Sequence, residues 1–598
     1  MSPVPRGGRL ALVAALSAFV PAAFAGSAAA DINADHLTNV PKAQPKVLGR
    51  PVPNKLSREL AEIPQASGTD LIDGADPAVA PAFYGYDLTD AAHPLIAIPP
   101  LTAEAQKTEP DKNTYLVLSG QKGADPAFDY GTHFIYQGHE AGSPGYITRL
   151  NLDADRDHRV TLMATKDDHG ADLPEFDGST WDPFAQTLLF TAELNSPQGG
   201  VWAKTLEPGT PAVDLRGIIG SSGYEGIQND SAGNLWIVED SGGTTVGHAR
   251  QPNSFVYRFV PNDRTDLTKG GKLQVLQVES LADPGEPIVF HAGQAAADIA
   301  SQDTVDLHSY GNTFETKWIT IHDTDTDGTD SFDSNALAKA ADGTPFKRPE
   351  NGVFRPGTKF RAFAFTETGD TDIRTEAGSD GGGFGDIQVL EQKSPTADEG
   401  RLRLLFQGDA EHASFDNISW LSDRTVAVVE DRGDTFHGQG NGVQPTALDS
   451  AWAIDAGVDH ARSDAGVTRF IAEGRDASAT IDSALLDAGT PGFTNDGDNE
   501  LTGIHTSDGD PTVGGVLGAK DPDPFADAED RGRGRGHDGD RGLAWRVFFT
   551  QQHGDNHTWE LVPRPWPAAA PGRPMGAATE QAAAPGPPVA RERVMTTT

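Results

Sequence analysis

The strongest constraint on how this chain folds is a unit that recurs along its middle. Each copy has an acidic residue, followed in four of the five by Gly or Asn, then a short strand, a tight turn and a second apolar strand with a polar end. One copy is Phe176-Asp177-Gly178-Ser179-Thr180-Trp181, a turn at Asp182-Pro183, then Thr187 to Thr191 and Glu193. Further copies begin at Tyr224-Glu225-Gly226, at Arg348-Pro349-Glu350-Asn351, at Phe415-Asp416-Asn417 and at Asn499-Glu500-Leu501. A lone strand pair of this kind cannot bury both faces. Units arranged around an axis can, and radial repetition leaves only short sheet edges. The uneven spacing favours a propeller with insertions over a tight solenoid. The stretch Thr132 to Glu140 reads as the end of a further unit. The expected fold is therefore all-β: a six-bladed β-propeller with inserted loops and short helices. A β-sandwich would not explain why the same acidic position keeps returning.

In a propeller the innermost strand of each blade starts beside the central axis. Asp177, Glu225, Glu350, Asp416 and Glu500 would then face one another across a narrow channel. Like charges crowded in this way are costly unless they are protonated or neutralised by cations. Carboxylate oxygens are the hard donors that calcium prefers. The bland alternative is that these residues bond turn amides at strand ends, and the residues alone leave it open. A secondary calcium loop is expected at Asp323, Asp325, Asp327 and Asp330. There alternate carboxylates and Gly328 match the first half of an EF-hand-type loop, but Ser334 stands where a closing Glu would be. Asp153, Asp155 and Asp157 make a weaker version.

Composition narrows the remaining choices. With 87 acidic against 47 basic residues and a formal charge of −40, the chain repels nucleic acid and anionic lipid. A small molecule is the expected partner, with no membrane insertion, and the protein is expected to be a monomer. The absence of cysteine excludes disulfides, thiolate nucleophiles and Cys-ligated metal sites. No His-Glu-x-x-His, Gly-x-Ser-x-Gly or phosphate-cradling Gly-Lys-Ser/Thr motif occurs. Residues 1–30 read as a signal peptide, with Arg6 and Arg9 before the apolar run Leu10 to Val20 and small residues after it. The expected location is secreted or in the cell envelope, including the periplasm. Residues 31–80 read as a loosely attached lead-in, 81–561 as the propeller, 519–542 as a flexible inserted loop and 562–598 as a disordered tail.

The propeller region resembles the PhoX-type alkaline phosphatases, secreted bacterial propellers with a calcium and iron centre. The matching segments are Gly138-His139-Glu140, Phe176 to Pro183 with Thr191-Ala192-Glu193, Tyr224-Glu225-Gly226 and Lys347-Arg348-Pro349-Glu350-Asn351-Gly352. Phe415-Asp416-Asn417 with Glu430-Asp431, and Asn499 to Gly503 with Gln551-Gln552-His553-Gly554, complete the order. The resemblance implies a metal-dependent phosphatase acting on phosphate monoesters. It implies that Arg348 and Glu350 are catalytic, with the arginine gripping phosphate through its guanidinium fork. It also implies that Glu350, Glu225, Glu193, Asp416, Glu500, Glu140 and Glu430 hold metal. The family's cysteine is missing where this chain has Phe176-Asp177-Gly178. Asp177 would supply a hard oxygen there, which favours calcium and leaves iron open. Two other functions remain compatible with the residues: a non-catalytic calcium-binding propeller for a ligand or surface partner, and a lactonase-like propeller hydrolase.

Overall fold

The computed structural model describes residues 34–45, 51–90, 93–95, 105–142, 144–370, 378–432, 447–463, 465–475, 500–525, 543–552 and 556–564. Among these residues the chain makes six antiparallel units of four strands each, laid down from the axis outwards. Blade one runs Thr114–Val117, His133–Gln137, Ile147–Asn151 and Val160–Ala164. Blade two runs Ser179–Asp182, Thr187–Ala192, Gly200–Lys204 and Val213–Asp214. The inner pairs of blades three to six are Tyr224–Asn229 with Leu235–Glu239, Pro349–Phe354 with Ala362–Glu367, Phe415–Trp420 with Thr425–Glu430, and Glu500–Ser507 with Arg546–Gln552. The five recurring units are thus the inner hairpins of blades two to six. Thr132 to Glu140 covers the second strand of blade one.

Alternation along each strand explains how the ring closes. Successive side chains point to opposite faces, so Leu188 and Phe190 pack towards blade one while Leu189 packs towards blade three. Six apolar clusters result, one in each gap between neighbouring blades. Trp236 with Phe363 fills the gap between blades three and four, and Tyr115, Ile135 and Phe548 fill the gap between blades six and one. Each blade therefore buries both faces, which a single hairpin could not do.

The lead-in is not loosely attached. Leu60–Ala66 pairs with His557–Pro563 as the outer strand of blade six, so both ends of the described chain share one sheet. Lys55–Leu56 extends blade five by pairing with Val467–Ala472. A long strand, Phe314–Asp323, bridges the outer edges of blades three and four into one nine-stranded sheet. The proposed signal peptide, residues 526–542 of the inserted loop, His553 and Gly554, and the tail beyond 564 lie outside the described residues. Phe525, at the start of that loop, is buried between blades five and six. No helix among the described residues is long and apolar enough to cross a membrane.

Candidate metal centre and active site

The repeated acidic residue owes its position to a break in strand pairing. In blades three, four and five the ladder between the two inner strands shifts register across Glu225-Gly226, Glu350-Asn351 and Asp416-Asn417. A β-bulge of this kind bends the strand and re-aims its side chains. In blade six the shift falls just after the acidic residue, between Thr502 and His505. The small residue beside the acid is explained by crowding at the axis. A Cβ on Gly226 would lie 2.7 Å from the Cα of Asn351 in the next blade, and one on Gly178 would lie 2.0 Å from the carbonyl oxygen of Glu225.

The result is one carboxylate from each blade: Asp111, Asp177, Glu225, Glu350, Asp416 and Glu500. All six line a polar cavity of about 220 Å³ together with Glu109, Glu140, Glu193, Arg348, Asp431 and Thr502. Three sets of carboxylate oxygens there lie within 4.8 Å of one another: Asp111 with Glu140 and Asp177, Glu193 with Glu225 and Asp240, and Glu225 with Glu350 and Asp416. Burial, followed by the charges of the neighbouring acids, pushes Asp177 and Glu225 well above the usual carboxylate range. Glu350 is raised in the same way, against the pull of Arg348, and Asp416 is pushed up to about 7. Buried Oδ1 of Asp177, Oε2 of Glu225 and Oδ2 of Asp416 have no hydrogen-bond partner. Orphaned anionic oxygens turned towards each other fit bound cations, and the donor set is all oxygen, as calcium requires.

Two cations of the chain itself meet this acidic centre. Buried Lys112 bonds the side-chain oxygen of Asn351 at 3.1 Å. Burial lowers its pKa against the opposing pull of Asp111, Asp416, Glu225 and Asp177. Arg348 sits at the cavity wall with φ of +59°, a left-handed conformation that is unfavourable for a long side chain. Its Nε donates to Asp240 Oδ1 at 2.8 Å, its Nη2 is 2.5 Å from Asp240 Oδ2, and Nη2 is 3.6 Å from Glu350 Oε1. Burial pushes the Arg348 pKa down, but Asp240 and Glu350 more than offset it, so the guanidinium stays charged.

Of the residues expected from sequence, the cavity gathers Glu140, Asp177, Glu193, Glu225, Arg348, Glu350, Asp416 and Glu500. Glu430 is not among its lining residues. It is fully buried at the end of its strand, and its carboxylate accepts the Ala413 amide at 3.1 Å, while Asp431, one residue on, lines the cavity. None of the four residues expected to form a secondary calcium loop lines this cavity. Residues Thr324–Asp327 form a helical turn capped by Asp323, which accepts the Asp325 amide at 3.1 Å and pairs with Lys272. Asp323, Asp325, Asp327 and Asp330 join none of the converging groups among the described residues. Asp111 escaped sequence reasoning because Lys112 follows it where blades two to five have Gly or Asn. Glu109 carried no motif of its own.

The family model described as alkaline phosphatase PhoX matches residues 249–510. No curated protein matches the sequence. Among solved structures, Pseudomonas fluorescens PhoX in complex with vanadate, a transition state analogue, is similar at 10% identity and a TM-score of 0.49, over 88% of this chain and 98% of that one. The periplasmic gluconolactonase of Pseudomonas aeruginosa matches at 12% identity and 0.27, over 68% and 82%. A calcium structure of a Trichoderma reesei carbohydrate-active enzyme of family AA12 matches at 9% identity and 0.27, over 86% and 98%. Residues 249–510, the stretch that carries Arg348, Glu350, Asp416 and Glu500, are thus similar to the alkaline phosphatase PhoX family.

Proposed function

We propose that this protein hydrolyses phosphate monoesters in the carboxylate-lined cavity, with calcium as its main metal. The observation that carries the reading is Arg348: a charged guanidinium held by Asp240 at the wall of a cavity otherwise lined by acids and Thr502. A bare carboxylate ring would repel a phosphate ester from this guanidinium, but once cations fill the ring it faces a site for a phosphoryl group. Asp111, Asp177, Glu225, Glu350, Asp416 and Glu500, with Glu140, Glu193 and Asp431 at the rim, would hold those cations. Bound there, they supply charge neutralisation for the phosphate ester and its transition state. Arg348 then binds and orients the phosphoryl oxygens, and Glu350 stands 3.6 Å from Nη2, tying the arginine to the metal ligands. The oxygen-only donor set supports calcium; iron would have to bind without the thiolate implied by the family likeness. Export through residues 1–30 would bring the protein to surroundings where calcium is plentiful.

The test is hydrolysis of a chromogenic phosphate ester by purified protein with calcium, with added iron and after chelation. Turnover that needs metal and is lost in Arg348→Ala supports the reading. Absence of turnover in every metal, or full activity in the variant, removes it and leaves a non-catalytic calcium-binding propeller.

A further inference from the structure

A second cluster of ligand-type side chains adjoins the Lys347-Arg348 segment, and none of its three residues lines the cavity. Glu367 ends the second strand of blade four and Asp386 begins the third, and the two are direct cross-strand partners. Like charges placed opposite each other in a sheet are destabilising, and here both are fully buried. His308, which follows the short helix Gln302–Leu307, brings its Nε2 to 3.5 Å from both Glu367 Oε2 and Asp386 Oδ2. Its ring lies against Gly382, where a Cβ would come within 2.2 Å of the imidazole.

We propose that His308, Glu367 and Asp386 form a binding site for one first-row divalent transition metal, such as zinc, manganese or ferrous iron. Four observations agree on this. First, 3.5 Å is long for an N–H···O bond, but it is close to the edge of a ligand tetrahedron, about 3.4 Å when each donor stands about 2.1 Å from a metal. Second, the three donor atoms lie within 4.8 Å of one another, and Nε2 of His308, Oε1 of Glu367 and Oδ1 of Asp386 are buried without a hydrogen-bond partner. Third, each ligand is held from behind. His308 Nδ1 bonds the Thr304 carbonyl at 2.6 Å, which leaves the Nε2 lone pair facing the carboxylates. The Lys347 amide donates to Glu367 Oε2 at 2.6 Å, and Gln388 donates to Asp386 Oδ2 at 3.2 Å. Fourth, the cluster is rich in acid: Asp370, 2.7 Å from the Lys347 ammonium, adds a third buried carboxylate beside Glu367 and Asp386.

The contrast with blade three sharpens the case. Glu239 ends the second strand there as Glu367 does in blade four. Its oxygens are taken up by Ser222, Asn335, Tyr257 and the Phe255 amide. Blade four offers an acid and an imidazole in place of such neutral donors. The imidazole selects transition metals over calcium, which separates this site from the all-oxygen cavity. A metal here would fix Glu367, and through the Lys347 amide the strained turn that presents Arg348.

The test is metal counting on the full chain after equilibration with calcium and zinc, followed by cobalt substitution. The proposal expects one zinc per chain that calcium does not displace, and its loss in His308→Ala with the calcium count unchanged. Cobalt in the wild-type protein should give one equivalent of an intense visible band typical of low-coordinate nitrogen ligation, a readout that survives if the variant fails to fold. Absence of a retained transition metal in the wild-type protein overturns the proposal and leaves a protonated His308 bridging two acids. Retention of the same zinc in a folded His308→Ala protein overturns it as well.

Discussion

Asp240 grips the guanidinium of Arg348 through both of its oxygens, 2.8 Å from Nε and 2.5 Å from Nη2. The arginine is therefore aimed before any substrate arrives, although its backbone is in the left-handed region. Asp240→Asn keeps the positive charge but weakens this hold. A misplacement of about 1 Å at such a group can cost on the order of 10²-fold in rate. We expect Asp240→Asn to lower kcat by about that factor. Arg348→Lys, which loses the fork altogether, should fall by roughly 10²–10³-fold. Initial rates on a chromogenic phosphate ester measure both, and unchanged rates would contradict the assigned geometry.

Metal removal should expose the like-charge conflict at the axis. Binding to the folded state alone stabilises by about 2.7 kcal/mol at a ligand concentration 100 times Kd. Thermal melts of the wild-type protein should therefore rise with calcium and fall with chelator. Asp177→Asn reverses the order. It removes one buried charge from the pair with Asp111, so in chelator it should melt above the wild type, and in saturating calcium below it. Parallel behaviour of the two proteins under both conditions would argue against ion binding at Asp177.

Much of this site was legible because the bulge has a sequence form. An acid next to Gly or Asn, ahead of a strand, marks the place where the inner strand leaves its ladder, and that pattern located Asp177, Glu225, Glu350 and Asp416. Asp111 carries the same role with Lys112 beside it, so the pattern missed blade one. Strand parity was the other blind spot. Glu430 and Asp431 are adjacent, and only the register with Phe415 decides which one turns towards the axis. Nor could composition tell that the Pro-rich start supplies outer strands to blades five and six. Pairing between residues some 500 apart leaves no local mark, as Leu60 with Pro563 shows. At the Asp323 loop the sequence leaves two readings open, since alternate aspartates can cap a helical turn, as Asp323 does, and can also wrap an ion.

Glu430 and Asp431 can be separated by experiment. Glu430→Ala leaves the buried Ala413 amide without its acceptor, a loss of roughly 1–3 kcal/mol of stability, with the calcium count unchanged. Asp431→Asn should leave the melting temperature in chelator near that of the wild type and weaken calcium binding. Calcium titration combined with denaturant unfolding distinguishes the two outcomes, and the reverse assignment would appear as a lost ion in Glu430→Ala.

The small residue in the repeat is as testable as the acid. In Gly226→Ala the new methyl would stand 2.7 Å from the Cα of Asn351 and 2.9 Å from Val238 Cγ2, forcing blades three and four apart at the axis. Overpacking of this sort costs typically about 1–3 kcal/mol. Because Glu225 and Glu350 flank the contact, calcium affinity should fall together with stability. A stable variant with normal calcium binding would show that the ring tolerates widening there.

The closure of the ring has its own acid dependence, through Glu59. This residue precedes the outer strand of blade six, and its carboxylate accepts the Thr38 amide at 3.0 Å and the Thr38 hydroxyl at 2.5 Å. Burial raises its pKa, but Thr38 and Arg58 outweigh it and bring the group down to about 2 from an ordinary 4.5. The folded protein thus holds this carboxylate ionised where the unfolded chain would protonate it. The stability it contributes is complete above about pH 4.5 and is lost as pH falls from there towards 2. Glu59→Gln removes the difference. Its melting temperature should lie below that of the wild type at pH 6, and the gap should narrow as pH falls through 4 towards 2. A constant gap over that range would mean that Glu59 contributes by packing and not by charge.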